Sequence, residues 1–498
     1  MRRSLNRREF IRLAGLIAAS TGVAGCASVY DRLVPESSSW TPWPNAGPST
    51  FLHLNRMTYG PMSDERAAAD DAGIEAWIEE QLAPESLDDP GADLRLRRFT
   101  TLDLPSDVLA DLSDRIFDNV DRFTVPDQLR QATLIRQVYS RRQLLEVMVE
   151  FWTDHFNISV EKGDCFFLKT VDDREVIRRH ALGNFGELLW ASAHSPAMLV
   201  YLDNQSNRKG SPNENYAREL MELHSLGVSG GYTQADVMEL ARCLTGWTVK
   251  EHFWRGEFTF NSQFHDAGPK RVLGEAIDPL GQIEAERVLD VLSIHPSTAH
   301  FIAAKLARRF IAEDPPPGLV DLVAGVFKQT NGDIRSVLRA LLMNGLEFVQ
   351  PKFKRPSHFV VSALRILNAR TDGGEAIQRY LKRMGQPYFA WPTPDGYPDR
   401  SEAWSGNLLP RWQFAYDLAH GALSHTTVDL PGLVQAAGPG DPASLVDRMS
   451  TLLLGQPLPP TTKRALLDSV ERAGAIDDEG TPSLLLAAIL ASPAFQWR

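Results

Sequence analysis

The sequence predicts a mainly α protein, with one large multi-helix domain and a small β-hairpin insertion. Apolar residues recur at helical spacing through most of the chain after residue 51, and strands do not alternate with helices. Strand-like alternation is found chiefly in residues 248–264, where Arg255-Gly256 suits a hairpin turn. The main predicted helices are 74–82, 126–155, 171–181, 184–193, 213–226, 234–245, 285–293, 297–312, 332–343, 358–369, 408–421, 441–454, 461–473 and 482–491.

The first 25 residues differ in composition from the rest of the chain and predict an export signal. Arg7 and Arg8 precede a run over residues 13–25 that is apolar or small throughout and carries no charge. A bilayer-spanning helix takes ~20 apolar residues, so this run is too short to cross a membrane and is typical of a signal peptide. The paired arginines favour the twin-arginine export route.

A cysteine follows this run directly and predicts lipid attachment. Val23-Ala24-Gly25-Cys26 resembles the lipobox, where processing acylates the cysteine and cuts the chain before it. We therefore predict a twin-arginine lipoprotein signal peptide over residues 1–25, a lipid on Cys26, and a location on the periplasmic side of a bacterial membrane. Residues 26–50 are rich in proline and serine without a helical period, which predicts a tether, and residues 51–498 form the predicted helical domain.

The charge balance excludes one class of partner. Without residues 1–25 the chain holds 47 basic and 62 acidic residues, a formal charge of −15. Nucleic-acid binding needs clustered Lys and Arg to displace counterions, so we expect no nucleic-acid partner. Cys165 and Cys243 are free to pair in an oxidising compartment, but their separation along the chain does not decide whether they do.

Two helix starts in the central part of the chain carry capping signals. Ser211-Pro212-Asn213-Glu214 predicts a capping box with proline in the first turn. Thr233 with Asp236 predicts the same device at the start of the next helix. These two helices, joined at Gly230-Gly231, bracket Glu219, Glu222 and His224.

Four side chains near these helices predict a divalent metal site. His155 continues an apolar helical stripe with Met148 and Phe151, and His224 lies on the apolar face of its own helix. Glu219 is five residues from His224, so the two side chains diverge by roughly 140° and need a ligand from another segment. His155, Glu219, His224 and His265 are the candidate ligands of a mixed site. The alternative is that these histidines are packing residues that donate to backbone carbonyl oxygens.

A second candidate cation site is the loop from Asp203 to Glu214. Its twelve residues resemble the length of a calcium loop, but the position that needs glycine is Arg208. Asp203, Asn204 and Asn207 remain as oxygen ligands of a looser site. The alternative is an asparagine-rich turn that satisfies its own backbone.

Several motifs resemble the bacterial family called domain of unknown function 1800, from about residue 51 to the end of the chain. The resemblance implies an exported bacterial protein without an agreed activity. It also implies a genomic neighbour that is exported by the twin-arginine route and has a sulfatase-like fold. The motifs are LNRMTYGP (54–61), FWTDHFNIS (151–159), LDNQSNRKGSPNENYARELMELHSLGVSGGYT (202–233), CLTGW (243–247), FHDAGPK (264–270) and WPTPDGYP (391–398).

Two functional hypotheses follow, and no motif supplies a substrate or a reaction. The first is a metal- or cofactor-dependent enzyme whose site lies between the helices that carry His155 and Glu219. The twin-arginine route supports a cofactor without identifying it, because that route carries folded proteins. The second is a non-catalytic lipoprotein that holds or assembles an exported sulfatase-like partner, using loops such as residues 391–398.

Overall fold

The computed structural model describes residues 48–113, 123–251, 255–472 and 480–498, and this part of the chain is mainly helical. Arg7, Arg8, Cys26 and most of the predicted tether lie outside the described residues. The helices, numbered in chain order, are α1 Pro48–Met57, α2 Ser63–Ala72, α3 Ile74–Gln81, α4 Pro90–Leu96, α5 Ser106–Ser113, α6 Thr124–Tyr139, α7 Gln143–His155, α8 Cys165–Asp172, α9 Phe185–Ala193, α10 Pro196–Tyr201, α11 Glu214–Glu222, α12 Gln234–Cys243, α13 Ile283–Ile294, α14 Pro296–Phe310, α15 Pro317–Gln329, α16 Ile334–Gly345, α17 Pro356–Ile366, α18 Glu375–Arg383, α19 Leu409–Ala419, α20 Leu430–Ala437, α21 Pro442–Leu454, α22 Pro460–Arg472, α23 Thr481–Ala491 and α24 Pro493–Gln496.

The described strands form three short antiparallel pairs, which confirms the predicted fold class. The predicted hairpin is the first pair: Trp247 faces Phe260, and Gly256 in the connection has φ +81°. No sequence pattern predicted the other two pairs. The strands are β1 Trp247–Val249, β2 Phe258–Phe260, β3 Lys270–Val272, β4 Glu275–Ile277, β5 Arg370–Thr371 and β6 Thr426–Thr427.

One continuous hydrophobic core links helices from the beginning to the end of the described chain. In α7 the core face consists of Leu144, Val147, Met148 and Phe151, whose spacing of three and four residues keeps them on one side of the helix. A separate small cluster packs Phe353 against Tyr397 and Trp404, next to the loop that follows residue 390. This cluster attaches the loop to the helical body.

The predicted helix 126–155 is two helices. The chain leaves α6 at Ser140, which is extended (φ −67°, ψ 138°), and α7 begins at Gln143. The Ser140 hydroxyl donates to the Asp89 carboxylate, and the Gln143 side chain donates to the carbonyl oxygens of Gln137 and Ser140. These side chains supply the hydrogen bonds that a continuous helix would have made, which the helical period alone does not reveal.

The two predicted caps have different outcomes. The Thr233 capping box is confirmed: its hydroxyl accepts from the Asp236 backbone N–H, and the Asp236 carboxylate accepts from the Thr233 N–H. The Ser211 cap is wrong, because α11 begins at Glu214 with Asn213 as its N-cap. Asn213 is already extended and its side chain reaches the Asn215 N–H, so the exposed Ser211 lies outside the helix.

No helix in the described part of the chain is both long enough and apolar enough to span a bilayer.

Candidate functional site

Three carboxylates stand one turn apart on α7, and each meets a cation. Glu146, Glu150 and Asp154 are spaced by four residues, which places them on one face of the helix. Glu146 pairs with Arg178. Glu150 pairs with Arg309 of α14. At the end of the row, Asp154 forms an ion pair of 2.7 Å with Arg355, the N-cap residue of α17.

The middle carboxylate lies at the centre of a buried network. Glu150 accepts from the Ser357 hydroxyl at 2.7 Å, and its other oxygen lies 3.0 Å from His358 Nε2. Arg309 Nη2 contacts both Glu150 and His358 Nε2. Burial raises the pKa of Glu150, but the charges of Arg355 and Arg309 outweigh burial and hold that pKa well below its usual value. Glu150 is therefore an anion that pairs with Arg309 and lies near the charge of Arg355.

Both arginines keep buried N–H groups that the described residues do not satisfy. Their side chains are only 1% and 4% exposed. Nε and Nη1 of Arg309, and Nε and Nη2 of Arg355, lack a hydrogen-bond partner in the described chain. The nearest carboxylate oxygens are too distant: Asp399 Oδ1 lies 4.0 Å from Arg309 Nη1, and Glu150 Oε1 lies 3.8 Å from Arg355 Nη2. Such orphan donors are costly when buried.

The two arginines line a cavity of about 260 Å³ between α7, α14 and a loop. Five of its lining side chains are cationic and three are aspartates. Two of the aspartates are already paired, Asp154 with Arg355 and Asp399 with Lys352 at 2.7 Å. The lining residues are Phe151, Asp154, His155, Lys305, Arg308, Arg309, Arg355, Asp395, Gly396, Tyr397, Pro398, Asp399 and Arg400.

A smaller cavity of about 30 Å³ adjoins the other side of Arg355 and is lined by Glu150, Asp154 and Tyr388 among others. That volume accommodates about one water molecule. The larger cavity is therefore the one with room for a ligand.

Residues 395–400, the second part of the 391–400 loop, line the larger cavity. The Asn157 amide, at the end of the FWTDHFN motif, donates to the carbonyl oxygens of Trp391 and Thr393. Gly396 has φ +73°, and a Cβ at this position would lie 2.1 Å from the Asp154 carbonyl oxygen. Only glycine allows the loop to approach the end of α7 this closely. The loop both covers the helical core and lines the cavity.

A lysine and a histidine that contact each other also line the cavity. Lys305 Nζ lies 2.8 Å from His155 Nδ1, and His155 Nε2 lies 3.1 Å from the His224 carbonyl oxygen. Because a carbonyl oxygen only accepts, His155 carries its proton on Nε2 and its Nδ1 lone pair accepts from Lys305. Burial, followed by the charge of Lys305, lowers the pKa of His155 well below 6.5. Burial also lowers the pKa of Lys305 to about 8.

His224 is near His155 but takes no part in a polar site. Its ring is fully buried, with ring centroids 5.1 Å from Phe156 and 6.2 Å from His155. Neither ring nitrogen has a hydrogen-bond partner in the described chain, and burial lowers its pKa to about 3. His224 is thus a neutral packing residue whose backbone carbonyl oxygen orients His155.

His265 belongs to a different neighbourhood. Its Nδ1 lies 2.8 Å from the Thr245 carbonyl oxygen and its Nε2 lies 2.9 Å from Glu284 Oε1. The other oxygen of Glu284 accepts from Lys270 Nζ at 2.5 Å. Both ring nitrogens of His265 are therefore engaged away from α7.

The predicted four-residue metal site is consequently not assembled. His155 and His224 meet, His265 is held by Glu284, and the partly buried Glu219 lies on the edge of α11. Burial, followed by the charge of Glu222, raises the pKa of Glu219. Among the described residues, no group of three or more His, Cys, Asp or Glu side chains is arranged to hold a metal ion. The helical stripe correctly placed His155 of α7 and His224 inward, although α11 ends at Glu222, before His224. It could not show that His265 had a closer partner.

The predicted oxygen-ligand loop uses its polar atoms on the protein. Asp203 forms a 2.8 Å ion pair with Lys162. The Asn204 amide donates to the Trp247 carbonyl oxygen at 3.1 Å, and the Asn207 amide donates to the Ala241 carbonyl oxygen and to Asn204 Oδ1. Asn207 Oδ1 accepts from the Asn213 N–H at 2.8 Å. These contacts agree with the alternative of an asparagine-rich turn that satisfies local backbone groups.

Cys165 and Cys243 are buried, unpaired thiols. Burial raises the pKa of each thiol to about 12.

The cationic residues of the cavity were missed because their sequence context suggests a solvated surface. Lys352-Phe-Lys354-Arg355 resembles a surface charge run, yet its three cations are all buried. One signal was present: Arg309 follows Ile302 by seven residues and Leu306 by three, which places it on the apolar face of α14. A cation on an apolar helical face predicts a buried partner.

The comparisons identify a family and no characterised relative. The family model described as "Protein of unknown function (DUF1800)" matches residues 53–497. No curated protein and no solved structure matches the chain.

Proposed function

We propose that this chain, which belongs to the DUF1800 family, binds a small oxyanion in the cavity between α7, α14 and the 391–400 loop. The observations that carry the proposal are that Arg309 and Arg355 both line the cavity and that each keeps buried N–H groups without a partner in the described chain. A guanidinium group matches the planar, two-oxygen geometry of carboxylates and phosphates. An oxyanion ligand would satisfy donors that the protein leaves unpaired.

The size of the cavity restricts the ligand. Drug-sized ligands occupy pockets of about 300–1,000 Å³, so a cavity of about 260 Å³ suits a smaller molecule. Arg308 and Arg400 also line it, which supports a negative charge on the ligand. The class is therefore small carboxylates and inorganic or simple organic phosphates.

Inorganic phosphate is the direct probe of this proposal. We expect phosphate to raise the melting temperature above that in chloride at equal ionic strength, because a ligand at ~100 times its Kd adds ~2.7 kcal/mol of stability. Arg355→Lys keeps the charge beside Asp154 but removes the guanidinium fork, so the phosphate effect should decrease. Arg379→Lys, on an exposed part of α18, is the matched control. Equal melting temperatures in phosphate and chloride for the wild type would refute the anion site.

We further propose that the chain is lipid-anchored on the periplasmic side of a bacterial membrane. The support is the order of Arg7 and Arg8, the uncharged run and Cys26 in the sequence. Fatty-acid labelling should mark the wild type and not Cys26→Ser, and a wild type that fractionates as a soluble periplasmic protein would contradict the anchor. Two or three acyl chains give firm attachment where one gives marginal binding.

Export itself has a separate test. Arg7→Lys combined with Arg8→Lys keeps the charge of the segment but should leave the precursor in the cytoplasm. Normal export of this double variant would point to the general secretory route.

A second candidate function is that of a non-catalytic lipoprotein that binds an exported sulfatase-like partner. It is favoured by three exposed apolar side chains at helical spacing on α19: Leu409 is 61%, Trp412 47% and Tyr416 50% exposed. Co-purification of the partner with the wild type, and its loss with Trp412→Ser, would support this function. Recovery of the partner in equal amounts with Trp412→Ser would argue against this face.

A further inference from the structure

The partly buried Lys305 has a different kind of partner from the buried Lys270 and Lys352. Lys352 pairs with Asp399 at 2.7 Å, and Lys270 pairs with Glu284 at 2.5 Å. Lys305 has no carboxylate oxygen within ion-pair distance in the described chain, and its Nζ contacts the neutral Nδ1 of His155 instead. A carboxylate partner stabilises the ammonium form, whereas an imidazole lone pair is able to take its proton.

Lys305 also has the right position to act on a ligand. It precedes Arg309 by four residues on α14, so the two side chains are neighbours on one helix face. Both line the larger cavity, together with Arg308 and Arg355. A ligand whose carboxylate lies against Arg309 and Arg355 would therefore present its adjacent atoms to the Lys305 amine.

We infer that Lys305 is a nucleophilic amine that forms an imine with the carbonyl group of a small 2-oxo acid in this cavity. The inference rests on the proposed anion site, because the arginines hold the carboxylate that brings the carbonyl carbon to Nζ. A 2-oxo acid is the class in which a carboxylate and a reactive carbonyl group are directly bonded. Its smallest members suit a cavity of about 260 Å³.

The step balances with the groups present. Lys305 gives one proton to His155 Nδ1, and the freed lone pair on Nζ attacks the carbonyl carbon to form a C–N bond. The carbonyl oxygen takes the proton from His155 and becomes the hydroxyl of a carbinolamine. Loss of that hydroxyl with one of the two protons left on Nζ gives the protonated imine and one water molecule, without an oxidant or reductant.

Two features support this role of the amine. The His224 carbonyl oxygen fixes the His155 tautomer, so the Nδ1 lone pair faces Lys305 before any ligand arrives. Burial lowers the pKa of Lys305 to about 8, so a useful fraction of the amine is neutral near physiological pH. The carboxylates that oppose this shift are Asp154, Asp399 and Asp395, and the neighbouring Arg308 reinforces it.

Reductive trapping tests the inference on the full chain. Pyruvate or glyoxylate with sodium cyanoborohydride should give a reduced adduct that peptide mass spectrometry locates at Lys305. Lys305→Arg should lose this adduct, whereas Lys382→Arg, which alters an exposed lysine on α18, should retain it. Acetone, which has no carboxylate, should label Lys305 more weakly than pyruvate. Labelling spread evenly over exposed lysines would overturn the inference.

A pH profile of the wild type gives a readout that needs no variant. The rate of trapping at Lys305 should rise with a midpoint near pH 8, and the rate for a free model lysine should rise only towards the ordinary lysine pKa of ~10.4. Coincident profiles would overturn the inference. Inorganic phosphate should protect Lys305 and not Lys382. If phosphate stabilises the protein through Arg355 but no Lys305 adduct forms, the imine inference fails while the anion site stands. If phosphate has no effect, the anion site fails as well.

Discussion

His265 and Arg309 both lie in buried clusters around a glutamate, but the two clusters differ in what remains unpaired. Around Glu284, His265 and Lys270 take one carboxylate oxygen each, and the second nitrogen of His265 contacts a backbone carbonyl oxygen. Around Glu150, the carboxylate is equally well satisfied, yet Arg309 and Arg355 retain N–H groups without partners in the described chain. The first cluster is closed and the second is open on a cavity.

The difference distinguishes polar groups that are paired within the fold from polar groups that remain available to a ligand. The presence of histidines and carboxylates does not distinguish the two clusters, because both contain them. The number of unsatisfied donors distinguishes the two clusters, because a buried donor without a partner costs free energy that a ligand recovers. By this criterion the candidate site lies at Arg309 and Arg355 and not at the predicted group of histidines.

The largest expected effect is in the closed cluster. Glu284→Gln keeps the side-chain volume but leaves the fully buried Lys270 without its counter-charge, so we expect a loss of ~3–5 kcal/mol in the free energy of unfolding. Glu257→Gln breaks the exposed pair with Lys250 and should cost under ~1 kcal/mol. Urea unfolding of both variants measures the difference. Similar small losses would mean that the Glu284 cluster is not closed to solvent.

The open cluster predicts a pH-dependent effect of Lys305→Met. The pKa of Lys305 is about 8 in the folded protein and 10.5 ordinarily, so between these values the unfolded chain binds more protons and stability rises with pH. Below pH 8 the wild type bears the full cost of the buried charge, about 3 kcal/mol for a shift of this size. The stability advantage of Lys305→Met should therefore shrink by that amount from about pH 7 to above pH 10.

The same urea experiment in phosphate sharpens the comparison. A bound anion raises the pKa of Lys305 and should therefore reduce the pH dependence of the difference between the wild type and Lys305→Met. The effect of Lys352, whose pKa burial lowers to about 7, is common to both proteins and cancels. A pH-independent difference between wild type and Lys305→Met would show that the amine is not held in an unfavourable environment.

The sequence correctly predicted the mainly helical class, and most of the helices that it indicated are present in the structure. It failed at Ser140, where the hydrogen bonds of Asp89 and Gln143 replace a helical turn, because a partner 51 residues away leaves no mark in the local period. It also missed helices with weak periods, among them α10, Pro196–Tyr201.

The candidate site was predicted only in part, for a related reason. Helical periodicity showed that His155 faces inward, and the structure places it in the cavity wall. Periodicity does not show which distant segment supplies a partner. It therefore could not show that His155 contacts Lys305 whereas His265 contacts Glu284. Arg355 had no local signal, because it precedes a helix within a basic run.

A moderate effect is expected in the closed asparagine loop. Asn207→Ala removes a buried amide that bridges Asn204, Ala241 and Asn213, and the groups left unpaired should cost ~2 kcal/mol. Ser206→Ala removes one exposed hydroxyl contact and should cost little. Thermal unfolding compares the two. Because the loop oxygens are already used, millimolar calcium should leave the melting temperature of the wild type unchanged, and a calcium-dependent rise would restore the oxygen-ligand site.

The smallest expected effect concerns the cap that follows this loop. The Asn213 side chain accepts from the Asn215 N–H at 2.9 Å in the first turn of α11, so Asn213→Ala should cost ~1 kcal/mol. Ser211→Ala alters an exposed residue outside the helix and should change stability by only a few tenths of a kcal/mol, as is usual at such surfaces. The two variants remove comparable hydrogen-bonding groups two residues apart, so their difference in urea unfolding isolates the position of the cap. A larger loss for Ser211→Ala would mean that α11 begins earlier in solution, with Asn213 inside the helix. The Asn213 N–H would then no longer reach Asn207 Oδ1. The loop would therefore keep an unpaired polar atom, as Arg309 and Arg355 do.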